Sequence, residues 1–294
     1  MHRKEFIKTS LLLSLSSCMI KVKDLKQISE SLPNTERMPV LFLGHGSPMN
    51  AIEENEFVTG FRTIAQSIPK PSAILCISAH WFINKTAVTA MEIPKQIYDF
   101  GGFPQALFDV KYTPKGSLLL VDETIKTVNK VKVEKDENWG LDHGAWTVIK
   151  HLYPNADVPV VQMSIDYTQN AAAHFEIAKE LQSLRNKGVL IIGSGNIIHN
   201  LGLVDFYNLN KDNYGYDWAI EARTIMNNLI EKGDFKSLTQ YQTLGKAVQL
   251  AIPTPEHYLP LIYSLSLKTE KDELTLFNDK LQGGSLSMTS VRIG

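Results

Sequence analysis

The stretch Pro39-Val40-Leu41-Phe42-Leu43-Gly44-His45-Gly46-Ser47-Pro48 sets the architecture. An apolar run without alternation describes a short strand buried on both faces, and the glycines and proline that follow turn it into a loop. A histidine sits at the break. The same pattern recurs at Ala73–Ala79, which runs straight into His80-Trp81, and at Val189–Gly193, which leads through Ser194-Gly195-Asn196 to His199. Further strands are expected at Thr86–Met91, Pro159–Ile165, Leu274–Phe277 and Ser285–Arg292.

Helical spacing marks Glu54–Ile68 (Phe57, Phe61, Ile64, Ile68), Gly116–Asn129, residues 145–152, Asn170–Asn186, Tyr216–Lys232 and His257–Leu267. Asp99-Phe100-Gly101-Gly102-Phe103-Pro104 and Asn138–Gly144 read as loops. Strands alternating with helices predict an α/β fold: one domain with a central mixed or mostly parallel sheet, flanked by helices on both faces. In open α/β sheets, functional groups collect at the carboxyl ends of strands. His45, His80 and His199 occupy or follow such ends. His257, in Pro253-Thr254-Pro255-Glu256-His257-Tyr258, follows a Pro-rich turn. Four histidines so placed suggest one metal centre assembled from the whole fold rather than a local zinc clip.

The chain has 294 residues, 44% of them apolar and 21% charged, with a net charge of −1. These values suit a globular enzyme and leave no clustered Lys and Arg for nucleic acid. Cys18 and Cys76 are far apart and support neither a disulfide framework nor a zinc finger. Cys76 reads as a small buried hydrophobe. Residues 1–37 form a leader and linker, and the domain spans 38–294. Arg3-Lys4-Glu5-Phe6-Ile7-Lys8 followed by the apolar Leu11–Ile20 fits a signal peptide and resembles a twin-arginine signal, while Leu15-Ser16-Ser17-Cys18 resembles a lipoprotein cleavage box. An extension on a cytoplasmic protein fits as well, so localisation stays open. The apolar stretch is far shorter than the ~20 residues that span a bilayer.

Other candidates weigh differently. His143, in Trp139-Gly140-Leu141-Asp142-His143-Gly144, lies between flexible glycines beside a carboxylate and could meet a substrate. His151 and His174 read as helix-face residues, and His2 belongs to the leader. Gly193-Ser194-Gly195 lacks the third glycine of a dinucleotide loop, and no Gly-Lys-Ser/Thr is present. Gly44-His45-Gly46-Ser47-Pro48 has His where a hydrolase elbow has Ser. Asp99 could line a pocket mouth but reads more simply as a loop residue.

Taken in order, Gly44-His45-Gly46-Ser47-Pro48, Ser78-Ala79-His80-Trp81, Asp99-Phe100-Gly101-Gly102-Phe103-Pro104, Asp142-His143-Gly144, Ser194-Gly195-Asn196 with His199-Asn200, Pro253-Thr254-Pro255-Glu256-His257-Tyr258-Leu259-Pro260 and the ending Gly284-Ser285-Leu286-Ser287-Met288 resemble the 4,5-DOPA extradiol dioxygenases, class III ring-cleavage enzymes of the LigB-like superfamily. The likeness runs from Met38 to Gly294. It implies a LigB-like fold and one divalent, non-haem metal per chain. The family's metal-binding histidines fall on His45, His80, His199 and His257, and its pocket histidine on His143. The resemblance implies ferrous iron for turnover, with zinc as another bound ion. Many superfamily members use two histidines and a glutamate, so Glu256 and His257 both stay open as the last ligand. His199 stays open as fourth ligand or as acid/base.

The implied partners are a catechol and dioxygen, and the implied product is a muconic semialdehyde. Three protein ligands leave room for two catecholate oxygens and dioxygen, whereas four would crowd the ion. Two alternatives remain: a zinc hydrolase on the same scaffold, and a binding protein that has lost the chemistry. The physiological catechol, the side of cleavage and the oligomeric state are not legible.

Overall fold

The computed structural model describes residues 32–294. The leader reading over residues 1–31 lies outside the described residues. Ten strands occur among the described residues: β1 (Val40–Gly44), β2 (Ala73–Ile83), β3 (Thr86–Thr89), β4 (Val133–Asp136), β5 (Val160–Asp166), β6 (Val189–Gly195), β7 (Leu274–Phe277), β8 (Leu281–Gln282), β9 (Leu286–Ser287) and β10 (Ser290–Ile293). Nine α-helices accompany them among the described residues: α1 (Glu56–Gln66), α2 (Gln105–Phe108), α3 (Leu118–Thr127), α4 (His143–Leu152), α5 (Ala171–Lys179), α6 (Asp217–Lys232), α7 (Phe235–Thr239), α8 (Lys246–Ala251) and α9 (Leu259–Ser266).

Eight strands form one sheet in the order β4-β3-β5-β2-β6-β1-β10-β7. The centre, β5-β2-β6-β1, is parallel throughout. β3 meets β5 antiparallel, and β10 runs antiparallel to both β1 and β7, so the sheet is mixed with a parallel heart. Every residue of β1, β5 and β6 is buried. A strand buried on successive residues has both faces covered, which is why residues 40–43 and 189–192 are unbroken apolar runs, while β5 sets the buried polar Gln162, Ser164 and Asp166 among its apolar residues. The expected α/β architecture is therefore the one found.

Several boundaries differ from the sequence reading, each for a physical reason. β2 does not end before His80 but continues to Ile83, with its pairing to β5 shifting register between Ile77 and Phe82. Such an irregularity re-aims side chains within a strand, and His80 sits inside it. The segment 170–186 is not one α-helix. α5 ends at Lys179, and a 3-10 stretch continues to Lys187 before Gly188 closes it at φ 72°. His257 does not open a helix: α9 begins at Leu259, with Pro260 in its first turn.

The domain's margins are tied through Arg185, a fully buried side chain. Its Nε donates to the Met38 carbonyl at 2.7 Å, and its two terminal nitrogens pair with Asp272 at 2.9 and 3.0 Å. Burial alone would raise the Asp272 carboxyl, but hydrogen bonds from Arg185 and Thr269 outweigh it and hold the group down at about 2. Among the described residues no helix is long and apolar enough to cross a membrane.

Candidate metal centre

Three neighbouring strands deliver the site. In the parallel register Gly44 of β1 lies beside Gly195 of β6, and Ser194 of β6 lies beside Ser78 of β2. The chain leaving β1 thus places His45 at the same sheet edge to which β2 brings His80. His257 arrives from the turn before α9 and packs directly on β6. The Asn196 amide donates to the His257 carbonyl at 2.9 Å, and a Cβ on Gly195 would overlap that carbonyl. Glycine at 195 is what lets the turn come so close.

The result is a cluster of imidazoles. One ring nitrogen each from His45, His80 and His257 lies within 4.8 Å of the other two. His45 Nε2 and His80 Nε2 are 3.4 Å apart. Two ligands each ~2.1 Å from one tetrahedral ion stand ~3.4 Å apart, so this spacing fits a shared cation. All three side chains are neutral at ordinary pH. Burial, reinforced by the charges their neighbours would carry, pushes His45 and His257 well below the usual imidazole value and lowers His80 as well. Neutral imidazoles offer the lone pairs that a metal requires.

The outer nitrogens explain the orientation. Ser194 gives its single hydroxyl proton to the Gly144 carbonyl, so it accepts from His45 Nδ1 at 3.0 Å. His80 Nδ1 lies 3.3 Å from Asp99 Oδ2, and His257 Nδ1 lies 3.2 Å from Glu256 Oε1. Thr254 Oγ1 donates to the same Glu256 oxygen at 2.7 Å. Nδ1 of His45 and His257 is thus hydrogen-bonded to an oxygen and Nδ1 of His80 faces a carboxylate oxygen in an ion-pair contact, which turns Nε2 of each ring toward the cluster. Metal sites commonly fix their histidines in this way.

His199 and His143 lie beside this trio rather than in it. The His199 ring stacks on His257, with centroids 3.5 Å apart and planes 8° from parallel. Its nitrogen groups with Glu256 and His257 and does not join the His45–His80–His257 set. Burial lowers His199 to about 4. His143 is not in a flexible loop. It is the first residue of α4, and Asp142 caps the helix by accepting from the Ala145 amide at 3.0 Å. Its ring centroid is 3.9 Å from that of His80. Asp142 is wholly buried; it also accepts from Ser78 Oγ at 2.7 Å and from the Gln162 amide. Burial, and then the charge of Asp99, raises Asp142 to about 6. Phe100 meets the His143 ring edge-on at 5.5 Å, one of an aromatic group with Phe103, Phe108, Tyr98 and Trp146.

Asp99 belongs to the site, contrary to the plain loop reading. Besides its contact with His80, Oδ2 lies 3.0 Å from His143 Nδ1, and Oδ1 accepts from the His143 amide at 2.8 Å. Burial alone would raise its carboxyl, but the bonds and charge of His143 outweigh this and hold it below the usual range. No local signal announces the role, because Asp99 is 44 residues from His143. His151 and His174 face elsewhere. His151 Nε2 meets the Asn50 carbonyl at 2.6 Å, and Asn50 in turn donates to the His45 carbonyl at 2.9 Å. His174 bridges the Tyr263 hydroxyl and the Asp166 carbonyl at 3.0 and 3.1 Å.

Residues 39–263 match the family model of the catalytic LigB subunit of aromatic ring-opening dioxygenase. The chain belongs to the LigB family. It is 42% identical over 270 residues to the Escherichia coli K12 protein named 4,5-DOPA dioxygenase extradiol, covering 91% of this chain and 98% of that one. The Beta vulgaris protein of the same name is 33% identical, covering 85% and 94%. A crystal structure of an uncharacterized protein from E. coli K12 superposes with a TM-score of 0.74 at 37% identity, covering 88% of this chain and all of that one. This LigB-family chain thus carries a candidate metal centre on a fold shared with a solved relative.

Proposed function

We propose that the protein is an extradiol dioxygenase that opens a catechol ring with dioxygen, at one divalent metal held by Nε2 of His45, His80 and His257. The observation that carries this reading is the convergence of one nitrogen from each of those three rings within 4.8 Å, with Nδ1 of each ring facing an oxygen. Glu256 then serves as the Nδ1 partner of His257. A cation held there supplies charge that favours the deprotonated diol and, as ferrous iron, the means of activating dioxygen.

The protein's own residues manage the proton and the ring. A phenol ionises near ~10, so reaching the catecholate at neutral pH requires roughly 4 kcal/mol. His143, beside the trio, accepts a diol proton, the general-base role that imidazole side chains most often fill. Phe100 and Phe103 offer an apolar wall to the ring. His199, stacked on His257, is a second imidazole for proton traffic. The expected product is a muconic semialdehyde.

The test is oxygen uptake with a catechol panel by protein loaded anaerobically with Fe(II), and separately with Zn(II), followed by product mass and absorbance. Uptake with iron alone and a ring-opened product are expected. Ester or amide hydrolysis by the zinc form, without uptake by the iron form, would replace the proposal with a hydrolase. Silence in both would leave a binding protein.

A further inference from the structure

We infer that Asp99 is a positioning residue whose single carboxylate fixes the ring tautomer of both a metal-binding histidine, His80, and the proposed base, His143. The inference rests on the role given to His143 above and adds a residue which that role does not require.

The geometry is asymmetric in a useful way. One oxygen, Oδ2, serves both rings, at 3.3 Å from His80 Nδ1 and 3.0 Å from His143 Nδ1. The other, Oδ1, accepts the first amide of α4 at 2.8 Å, which ties the carboxylate to the helix that carries His143. The His143 contact is an ion-pair approach off the N–H axis rather than a formed hydrogen bond, so Nδ1 is a buried polar atom still short of a hydrogen-bond partner. Hydrogen bonds between catalytic groups tighten into line when substrate binds. A carboxylate can only accept, so the proton of each imidazole facing it resides on Nδ1. Nε2 of His80 is then free for a cation, and Nε2 of His143 is free to take a proton. The His80 and His143 rings lie 3.9 Å apart, so a shift of this carboxylate moves both. The carboxylate also opposes the positive charge that His143 acquires when it accepts a proton, as the aspartate of a hydrolase triad does for its histidine.

Asp99→Asn separates this role from a structural one. Its amide oxygen can still cap α4, but its NH2 faces the rings as a donor and drives the His143 proton to Nε2. Long-range ¹H–¹⁵N spectra of the zinc-loaded protein, with the ring assigned by His143→Gln, report the tautomer directly. Wild type is expected to carry the His143 proton on Nδ1, and Asp99→Asn on Nε2. In the iron-loaded protein, kcat for catechol cleavage should fall by at least ~100-fold with KM little changed. Zinc affinity should weaken by ~10–100-fold, as when a partner of a ligand is lost. Asp99→Ser, which keeps an acceptor for the helix amide and removes Oδ2, should give a mixture of tautomers if Asp99→Asn proves unstable. A wild-type proton on Nε2, or an unmoved proton in both variants, overturns the inference. A wild-type protein that cleaves no catechol overturns the proposed function instead and leaves the tautomer comparison standing.

Discussion

Gly144→Ala places one methyl group behind the metal centre. An ideal Cβ at this position would lie 2.7 Å from His80 Cδ2, 2.7 Å from Ser78 Oγ and 3.2 Å from His45 Nδ1. Ordinary carbon contacts are ~3.5–4.0 Å, so the His80 ring or the start of α4 must retreat by roughly 0.8 Å. Metal–ligand distances tolerate only about 0.2 Å. Two effects on folding nearly cancel: overpacking costs ~1–3 kcal/mol, while alanine is favoured over glycine within a helix by ~1 kcal/mol. The metal-free variant should therefore be within about 2 kcal/mol of wild type. Its zinc affinity should drop by ~10–100-fold or more, the range found when support for a ligand is lost. Chelator competition measures the affinity, and denaturant midpoints of the metal-free proteins measure the fold. Wild-type zinc affinity in a normally folded Gly144→Ala protein would refute the placement of His45 and His80 as joint ligands.

Replacing His45, His80 or His257 with alanine should abolish metal retention in elemental analysis after dialysis, while His143→Ala should keep the metal and lose turnover. Arg185→Leu removes the buried two-point partner of Asp272 and leaves the carboxylate only Arg37 at 3.1 Å and the Thr269 donors, so a loss of ~1.5–3 kcal/mol in denaturant unfolding is expected; a loss under ~1 kcal/mol would class the pair with exposed ones. Burial holds His174 neutral, down to about 4, whereas it titrates near ~6.5 when unfolded. Between those values the unfolded chain takes a proton that the fold refuses. Stability of the metal-free protein is then fully present above pH ~6.5 and falls as pH drops toward 4, by up to about 3 kcal/mol for this residue. His174→Gln should flatten that slope, and an unchanged slope from pH 7 to 4.5 would contradict the assignment.

The parts of this molecule that could be read in the sequence are those where local pattern and burial agree. β1, β2 and β6 announce themselves by the unbroken apolar stretches 40–43, 73–77 and 189–192, whose residues are all buried, and β5 by its Val160-Val161 start. β4, Val133-Glu134-Lys135-Asp136, sits at the sheet edge, has charged residues at three of its four positions and carries no such signal. His143 was expected in a loop because glycines flank it. Asp142 ahead of the apolar run Ala145–Ile149 was nonetheless a legible helix cap. His257 was expected to start a helix, but the start is set by Pro260 two residues into it. Asp99 could not be found locally, since its partners are 19 and 44 residues away and meet it only through the fold.

Strand β6 acts as a spacer of fixed width. It separates β1 from β2, and with ~4.8 Å per strand the backbones that launch His45 and His80 stand about 10 Å apart. Their imidazoles close that gap to 3.4 Å between Nε2 atoms, and the gauge is set by sheet pitch, which loop insertions cannot alter. Loops around the mouth are therefore free to lengthen or change composition as the organic partner changes, while the bite of the cradle stays constant.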